Sequence, residues 1–98
     1  MKIVYEGLNK LREDVIKLVS EGRVKIWWWH IRPLHSVTRG EITNALLYGA
    51  PLRLDKDVQG RYVVWSKLTE DGKRIRVVFE VWKINAEFVL VVTAFREE

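Results

Sequence analysis

The sequence predicts an α+β domain with two helices packed on one face of a four- to five-stranded, mainly antiparallel, twisted sheet. Three observations predict it. The first is a stripe of apolar residues at helical spacing near the start of the chain. The second is the pattern of a short capped helix after a tryptophan-rich strand. The third is the alternation of apolar and polar residues on both sides of an Asp-Gly pair in the second half. The 98 residues suffice for one domain, residues 1–98, with a core of its own.

The first helix is indicated by an apolar stripe at helical spacing. The stripe consists of Leu8, Leu11, Val15, Leu18 and Val19. We predict a helix from Leu8 to Glu21 that covers the core. Gly22 is placed to end it in a left-handed conformation.

A strand from Arg23 to Ile31 is predicted from its Val, Ile and Trp content, and Pro33 ends it. Successive side chains of a strand point to opposite faces. Trp28 is therefore expected on one face, with Trp27 and Trp29 on the other. Whether these three side chains belong to the core or to an interface stays open.

The second helix is predicted from Arg39 to Tyr48. Thr38 and Glu41 have the spacing of a capping box at its start. Gly49 stands where the helix is expected to end.

A hairpin is predicted from two strands, Arg61 to Leu68 and Lys73 to Trp82. Asp71-Gly72 lies between them and suits a two-residue type I′ turn. A further strand from Glu87 to Arg96 is apolar on both faces. Its register is left open, because a two-residue and a three-residue loop before it would place its side chains on opposite faces of the sheet.

The Asp-Gly turn predicts which residues share a face. It places Tyr62 opposite Val81 and Val64 opposite Phe79, on an apolar face that we call the core face. We call the other side, which carries Trp65 and Trp82, the tryptophan face. Its predicted polar and aromatic members are Arg61, Trp65, Lys67, Arg74, Arg76 and Trp82.

Composition excludes several classes of protein. The absence of cysteine excludes disulfides and thiolate metal sites. No metal or other cofactor is expected, because the sequence lacks a cluster of ligands, a glycine-rich phosphate loop and paired catalytic carboxylates. No signal peptide or membrane span is recognised, so we expect a cytoplasmic protein without membrane contact, and the composition suggests a thermophilic source.

The tryptophan face has three competing interpretations. Cations neutralise phosphates and indoles stack on bases, so the face and the net charge of +4 suit a nucleic acid. Exposed tryptophans also mark association sites, which favours a homodimer. The plain alternative is a solvated surface on which Glu80 pairs with an arginine. A DNA-binding accessory protein is a weaker possibility.

The two histidines are candidates for acid–base chemistry. His30 and His35 lie at or just after a predicted strand end, and imidazole titrates near neutrality. Arg32 and Arg39 are candidates to bind nucleic acid and to stabilise charge on a pentacoordinate phosphate. Structural or surface histidines are the simpler alternative.

The order of motifs resembles the RelE-type ribonuclease toxins, in particular BrnT-like and uncharacterised relatives. The matching pieces cover about residues 27 to 96 and exclude the first helix. They are His30, the stretch Ser36-Val37-Thr38-Arg39-Gly40-Glu41-Ile42, then Gly60-Arg61-Tyr62-Val63-Val64, Arg74-Ile75-Arg76-Val77-Val78 and Val91-Val92-Thr93-Ala94-Phe95-Arg96.

That resemblance implies metal-independent cleavage of mRNA and neutralisation by a cognate antitoxin protein. It implies catalytic roles for His30, Arg61, Arg76 and Arg96. The leading hypothesis is thus a small RNA-binding protein of toxin type, with endoribonuclease activity left open. The alternative is a non-catalytic module that forms a homodimer through its tryptophans.

Overall fold

A computed structural model describes residues 1–28, 37–68 and 71–97 of the chain. Within these ranges the fold is α+β, as predicted. The helices are α1 (Leu8–Ser20) and α2 (Arg39–Tyr48). The strands are β1 (Lys2–Ile3), β2 (Val24–Ile26), β3 (Leu52–Leu54), β4 (Arg61–Trp65), β5 (Arg74–Ile84) and β6 (Ala86–Glu97).

The strands form one mixed sheet in the order β2-β6-β5-β4-β3. β4 pairs with β5 as far as Glu80, and β1 takes the same side of β5 directly after it, with Lys2 opposite Trp82. β2 runs parallel to β6, and the other pairs are antiparallel. The mainly antiparallel sheet is confirmed. The number of strands was underestimated, because β1 and β3 are too short to show a periodic pattern.

Both predicted helices are present. α1 ends at Ser20, one residue earlier than predicted, and Gly22 has φ 75°. α2 has the predicted bounds. Its capping box is complete: the backbone N–H of Glu41 donates to Thr38 Oγ1 at 3.1 Å, and the Thr38 N–H donates to Glu41 Oε1 at 3.0 Å.

The tryptophan-rich strand is much shorter than predicted. β2 ends at Ile26, so the expected alternation of Trp27 and Trp28 across a strand is wrong. Trp28 packs against the core, whereas Trp27 is 40% exposed. β2 pairs with β6 only as far as Val91. Directly after Val91, a register shift in β6 interrupts its pairing with β5. Trp29 lies outside the described residues.

The β4–β5 hairpin keeps the predicted faces but not the predicted register. Tyr62 lies opposite Phe79 rather than Val81, a shift of two residues. The regular ladder ends at Trp65, and Ser66 closes it: its N–H donates to the Ile75 carbonyl and its Oγ accepts from the Ile75 N–H, both at 2.8 Å. A two-residue shift leaves every side chain on its own face, so the apolar pattern does not distinguish the two registers.

β5 and β6 are joined through Asn85 alone, which has φ 66°. Val81 lies opposite Val89 and Phe79 opposite Val91, but Val78 lies opposite Thr93. The extra residue in β6 is therefore Val92. This β-bulge reverses the alternation of β6 along its length, which explains its apolar pattern on both faces.

One core cluster joins the helices and the core face. α1 contributes Leu11, Val15 and Leu18 to it, and α2 contributes Ile42 and Leu46. The sheet residues in the cluster are Val24, Tyr62, Val64, Ile75, Val77, Phe79, Val81, Val89, Val91 and Ala94. The buried valines of the tryptophan face, Val63 and Val78, are not members.

Candidate nucleic-acid interface

The tryptophan face is more extensive in the structure than the hairpin alone predicts. Side chains directly opposite each other on paired strands share a face, so the registers define its members. Its cations are Lys2, Lys25, Arg53, Arg61, Arg74 and Arg76, and its carboxylates are Glu80 and Glu97. Its aromatic members are Trp65, Trp82, Phe88 and Phe95. Among the residues that the structure describes, the face thus has six cations and two carboxylates, which makes it a basic surface.

One cluster on this face is centred on Arg76. Trp65 of β4 and Phe95 of β6 flank Arg76 on its two neighbouring strands. The Arg76 guanidinium carbon lies 5.7 Å from the Trp65 ring centroid and 5.5 Å from that of Phe95. Both distances are within the range of cation–π attraction. We call this arrangement, together with Glu97, the Trp65 cluster.

Glu97 lies close to the polar groups of both Trp65 and Arg76. The indole N–H of Trp65 donates to Glu97 Oε2 at 3.0 Å, and Arg76 Nε lies 3.9 Å from Glu97 Oε1. Arg76 Nε is buried and donates no hydrogen bond to any group in the described part of the chain. The ring of Trp65 is thus held in place through its edge.

A second cluster surrounds Glu80, and we call it the Trp82 cluster. The Trp82 indole N–H donates to Glu80 Oε1 at 2.9 Å. Arg61 Nε and Lys2 Nζ lie 3.0 and 3.4 Å from Glu80 Oε2. Burial opposes ionisation of this carboxyl, but the hydrogen bonds from Trp82 and Arg61 and the charge of Lys2 outweigh it. The pKa of Glu80 therefore lies below its ordinary value.

Buried valines separate the two clusters. Val63 and Val78 lie opposite each other in the middle of the face and are buried. The interior of this face is therefore apolar, and its charged and aromatic groups collect towards the two ends.

A cavity of about 290 Å³ opens beside the Trp65 cluster. It is lined by Arg53, Leu54, Asp55, Lys56, Asp57, Val63, Trp65 and Arg76. The loop that begins at Asp55 is held by this residue, whose Oδ1 accepts hydrogen bonds from the N–H groups of Asp57 and Val58 at 2.8 and 3.2 Å. The cavity thus combines an indole, three cations and two carboxylates at the sheet surface.

The structure brings together most of the sequence-predicted residues of the hairpin. Arg61, Trp65, Arg76 and Trp82 all share the tryptophan face. Arg74 begins β5 on the same face, opposite Glu97. His30, Arg32 and His35 lie outside the described residues, so the roles expected for them in acid–base chemistry and phosphate binding stay predictions.

Arg96 does not join Arg61 and Arg76. It lies opposite Ile75 on the core face, and its guanidinium pairs with the Glu41 carboxylate of the α2 capping box. The bulge at Val92 is the reason, because it reverses the alternation that would otherwise relate β6 to the hairpin.

Lys67 and Arg39 also lie away from the tryptophan face. β4 ends before Lys67, which lines a different cavity together with residues of α2. Placing Lys67 on the tryptophan face was wrong, because the strand was predicted to continue to Leu68. Arg39, at the start of α2, donates from Nη2 to the Val24 carbonyl at 3.2 Å.

Several members of the interface were not recognised from the sequence. Lys2 and Arg53 reach it from short strands that carry no periodic signal. Phe95 and Glu97 reach it because of the bulge in β6. The Asp55 turn has one sequence signal, the D-x-D spacing of an Asx turn.

No protein-family model, curated protein or solved structure matches the chain. In residues 1–28, 37–68 and 71–97, neither helix is long and apolar enough to cross a bilayer. The same residues contain no group of three or more His, Asp or Glu side chains able to hold a metal ion. The class of protein that fold and site define is an α+β domain with a basic, aromatic sheet surface, and the likeness to RelE-type toxins stays a prediction.

Proposed function

We propose that the protein binds single-stranded RNA on its tryptophan face. The observation that carries the proposal is the direct opposition of Trp65 and Arg76, beside a cavity that Arg53 and Lys56 also line. Single-stranded nucleic acids are bound by such pairs, because bases stack on flat side chains while cations follow the phosphates. RNA rather than DNA is chosen because of the resemblance to ribonuclease toxins.

Electrostatics supports the same proposal. The described part of the tryptophan face carries six cations and two carboxylates, and one of those carboxylates, Glu80, is 4% exposed. A polyanion meeting this surface therefore encounters mainly positive charge. Binding then releases counterions from the phosphates, so affinity falls as salt concentration rises.

The proposal takes both helices to pack on the core face and to leave the tryptophan face available. The membership of the core cluster supports this arrangement, because buried residues of α1 and α2 join Phe79 and Val77 but not Val78. Adjacent residues of β5 thus differ in whether they belong to the core cluster that includes residues of both helices.

Cleavage of RNA and neutralisation by an antitoxin belong to the proposal only as further predictions. The arginine set expected for catalysis is divided, since Arg96 lies on the core face and Arg61 is engaged by Glu80. The binding surface does not depend on a catalytic set. Binding is therefore the part of the hypothesis that the geometry supports best.

The test measures anisotropy of a fluorescently labelled, unstructured RNA at low salt. We expect Trp65→Ala to weaken binding by about 5- to 150-fold, the loss of one stacked base. Arg76→Ala is expected to weaken binding and to lower its salt dependence. Lys17→Ala removes one positive charge from an exposed position of α1, away from the tryptophan face, and serves as the control. No binding by the parent, or equal affinities for Arg76→Ala and Lys17→Ala, would overturn the proposal.

The competing outcome is a homodimer through the same face. The four aromatic side chains on it are the observation that favours this alternative. Light scattering distinguishes the two: a dimer that Trp65→Ala dissociates, combined with no RNA binding, would replace the RNA proposal. A DNA strand of the same sequence, measured beside the RNA, tests whether the ribose hydroxyl contributes.

A further inference from the structure

The two ends of the tryptophan face repeat one arrangement. In each, a glutamate accepts the indole N–H of a tryptophan and lies close to the Nε of an arginine. At one end these residues are Trp65, Glu97 and Arg76, and at the other Trp82, Glu80 and Arg61. The proposed function needs one tryptophan arranged in this way, and the described residues include two.

Each tryptophan is held by its edge. The indole nitrogens of Trp65 and Trp82 lie 3.0 and 2.9 Å from their glutamate oxygens, and both rings are partly exposed. A ring held in this way does not have to be ordered by the ligand, so less binding energy is lost when a base stacks on it. The two indoles are therefore comparable, prearranged stacking surfaces.

Cations accompany both indoles. Beside Trp65, the cavity is lined by three cations, Arg53, Lys56 and Arg76, and by two carboxylates, those of Asp55 and Asp57, so positive charge is in excess. Beside Trp82, Lys2 lies directly opposite on β1. Phe88 is the neighbour of Trp82 on β6, and the ammonium of Lys25 lies 4.6 Å from its ring centroid. Phosphates next to a stacked base would find a positive partner at either end.

The spacing of the two clusters sets a length. Arg76, the partner of Trp65, and Trp82 lie six residues apart along β5, which is about 20 Å at the usual rise of a strand. The buried Val63 and Val78 lie between them. At about 3.4 Å per stacked nucleotide, this distance corresponds to roughly six nucleotides.

We propose, on the basis of the proposed function, that Trp65 and Trp82 are two separate stacking sites bridged by a single RNA strand. The strand runs along β5, with one base on each indole and its phosphates near the cations at both ends. A strand of about six nucleotides or more engages both sites at once. A dinucleotide occupies one site at a time, so its affinity lacks the gain from linking two contacts.

The test compares an octanucleotide with a dinucleotide on the parent, Trp65→Ala, Trp82→Ala and the double variant. For the octanucleotide we expect each single substitution to weaken binding by about 5- to 150-fold. For the dinucleotide each single substitution is expected to cost no more than about twofold, because the other site remains. The double variant is expected to lose binding of both ligands.

Two further variants separate folding from binding. Trp82→Phe keeps a stacking ring but loses the N–H bonded to Glu80, so we expect it to weaken octanucleotide binding less than Trp82→Ala does. Tyr48→Ala removes an aromatic ring that is 66% exposed on α2 and is expected to change neither ligand's affinity. If Trp82→Ala unfolds the chain, the inference is decided by Lys2→Ala, which must weaken the octanucleotide more than the dinucleotide.

The test distinguishes failure of the proposed function from failure of the two-site inference. If the parent binds neither ligand, the proposed function is wrong. If the parent binds the octanucleotide and neither Trp82→Ala nor Lys2→Ala weakens it, the function stands and the two-site inference is wrong. Equal losses for both ligands would also overturn the inference, because they indicate one site that contains both indoles.

Discussion

The guanidinium of Arg61 lies 3.0 Å from the carboxylate of Glu80, at one end of the tryptophan face. Glu80 is 4% exposed, and it also accepts the indole N–H of Trp82. A buried carboxylate is costly unless donors compensate it. The two residues therefore link the stability of the sheet to the surface proposed to bind RNA.

The first prediction concerns the charge of Glu80. Glu80→Gln keeps an acceptor for Trp82 but removes the charge that Arg61 and Lys2 meet, so we expect the free energy of unfolding to fall by about 1–3 kcal/mol. Urea denaturation at neutral pH measures it. Glu13→Gln makes the same change at an exposed position of α1 and is expected to stay within about 0.5 kcal/mol of the parent. Similar losses for both variants would contradict this account.

The second prediction follows from three carboxyls with lowered pKa values, those of Asp14, Glu41 and Glu80. In each, burial opposes ionisation and hydrogen bonds from neighbouring donors outweigh it. A pKa that is lower in the folded chain contributes stability above the unfolded pKa, near 4, and that stability is lost as the pH falls through the folded pKa. We therefore expect the free energy of unfolding to decrease from about pH 5 downwards.

Urea midpoints measured between about pH 7 and pH 3 check the second prediction, with Glu80→Gln beside the parent. The variant has lost one of the three contributing groups. Its stability is therefore expected to fall less with acidification, and the two curves should approach each other at low pH. Curves that stay parallel would show that Glu80 does not contribute to the acid sensitivity.

The elements that the sequence predicts well are those with a repeated local signal. The start of α2 follows from the Thr38–Glu41 capping box, and the faces of the hairpin follow from alternation along β5. Alternation does not specify register, because a shift by two residues returns each side chain to its face. The opposition of Trp65 and Arg76, on which the candidate site depends, could thus be predicted only as a shared face.

The differences along β6 have one physical source, the bulge at Val92. It puts Phe95 and Glu97 on the tryptophan face and Arg96 on the core face. It also lies directly after Val91, where pairing with β2 stops. A valine in an apolar run carries no local sign of a bulge, because the residue is selected by the packing of neighbouring strands rather than by its own turn preference.

The third prediction concerns a close approach of the backbone at Gly49. A Cβ there would overlap the carbonyl oxygens of Ala45 and Trp65. Gly49→Ala is therefore expected to lower the free energy of unfolding by about 1–3 kcal/mol, the range of overpacked sites. Gly40→Ala is the matched control in the first turn of α2, where the nearest atom would be 3.9 Å away. It is expected to be neutral or to stabilise by up to about 1 kcal/mol, and thermal unfolding distinguishes the two.

The fourth prediction separates two arginines that the resemblance places in one catalytic set. Arg96 pairs with Glu41 on the core face, whereas Arg76 lies between Trp65 and Phe95 on the tryptophan face. Arg96→Ala removes a half-buried ion pair, so we expect a loss of about 1 kcal/mol in the free energy of unfolding with RNA affinity unchanged.

Arg76→Ala is expected to weaken RNA binding and to reduce the slope of log affinity against log salt by about one, since one phosphate contact is lost. Anisotropy titrations at three salt concentrations measure the slope for both variants, and urea denaturation measures their stability. The assignment of the two arginines to different faces is wrong if Arg96→Ala lowers the salt slope as much as Arg76→Ala does. A lowered slope for Arg76→Ala alone would show that the phosphates pass the tryptophan face.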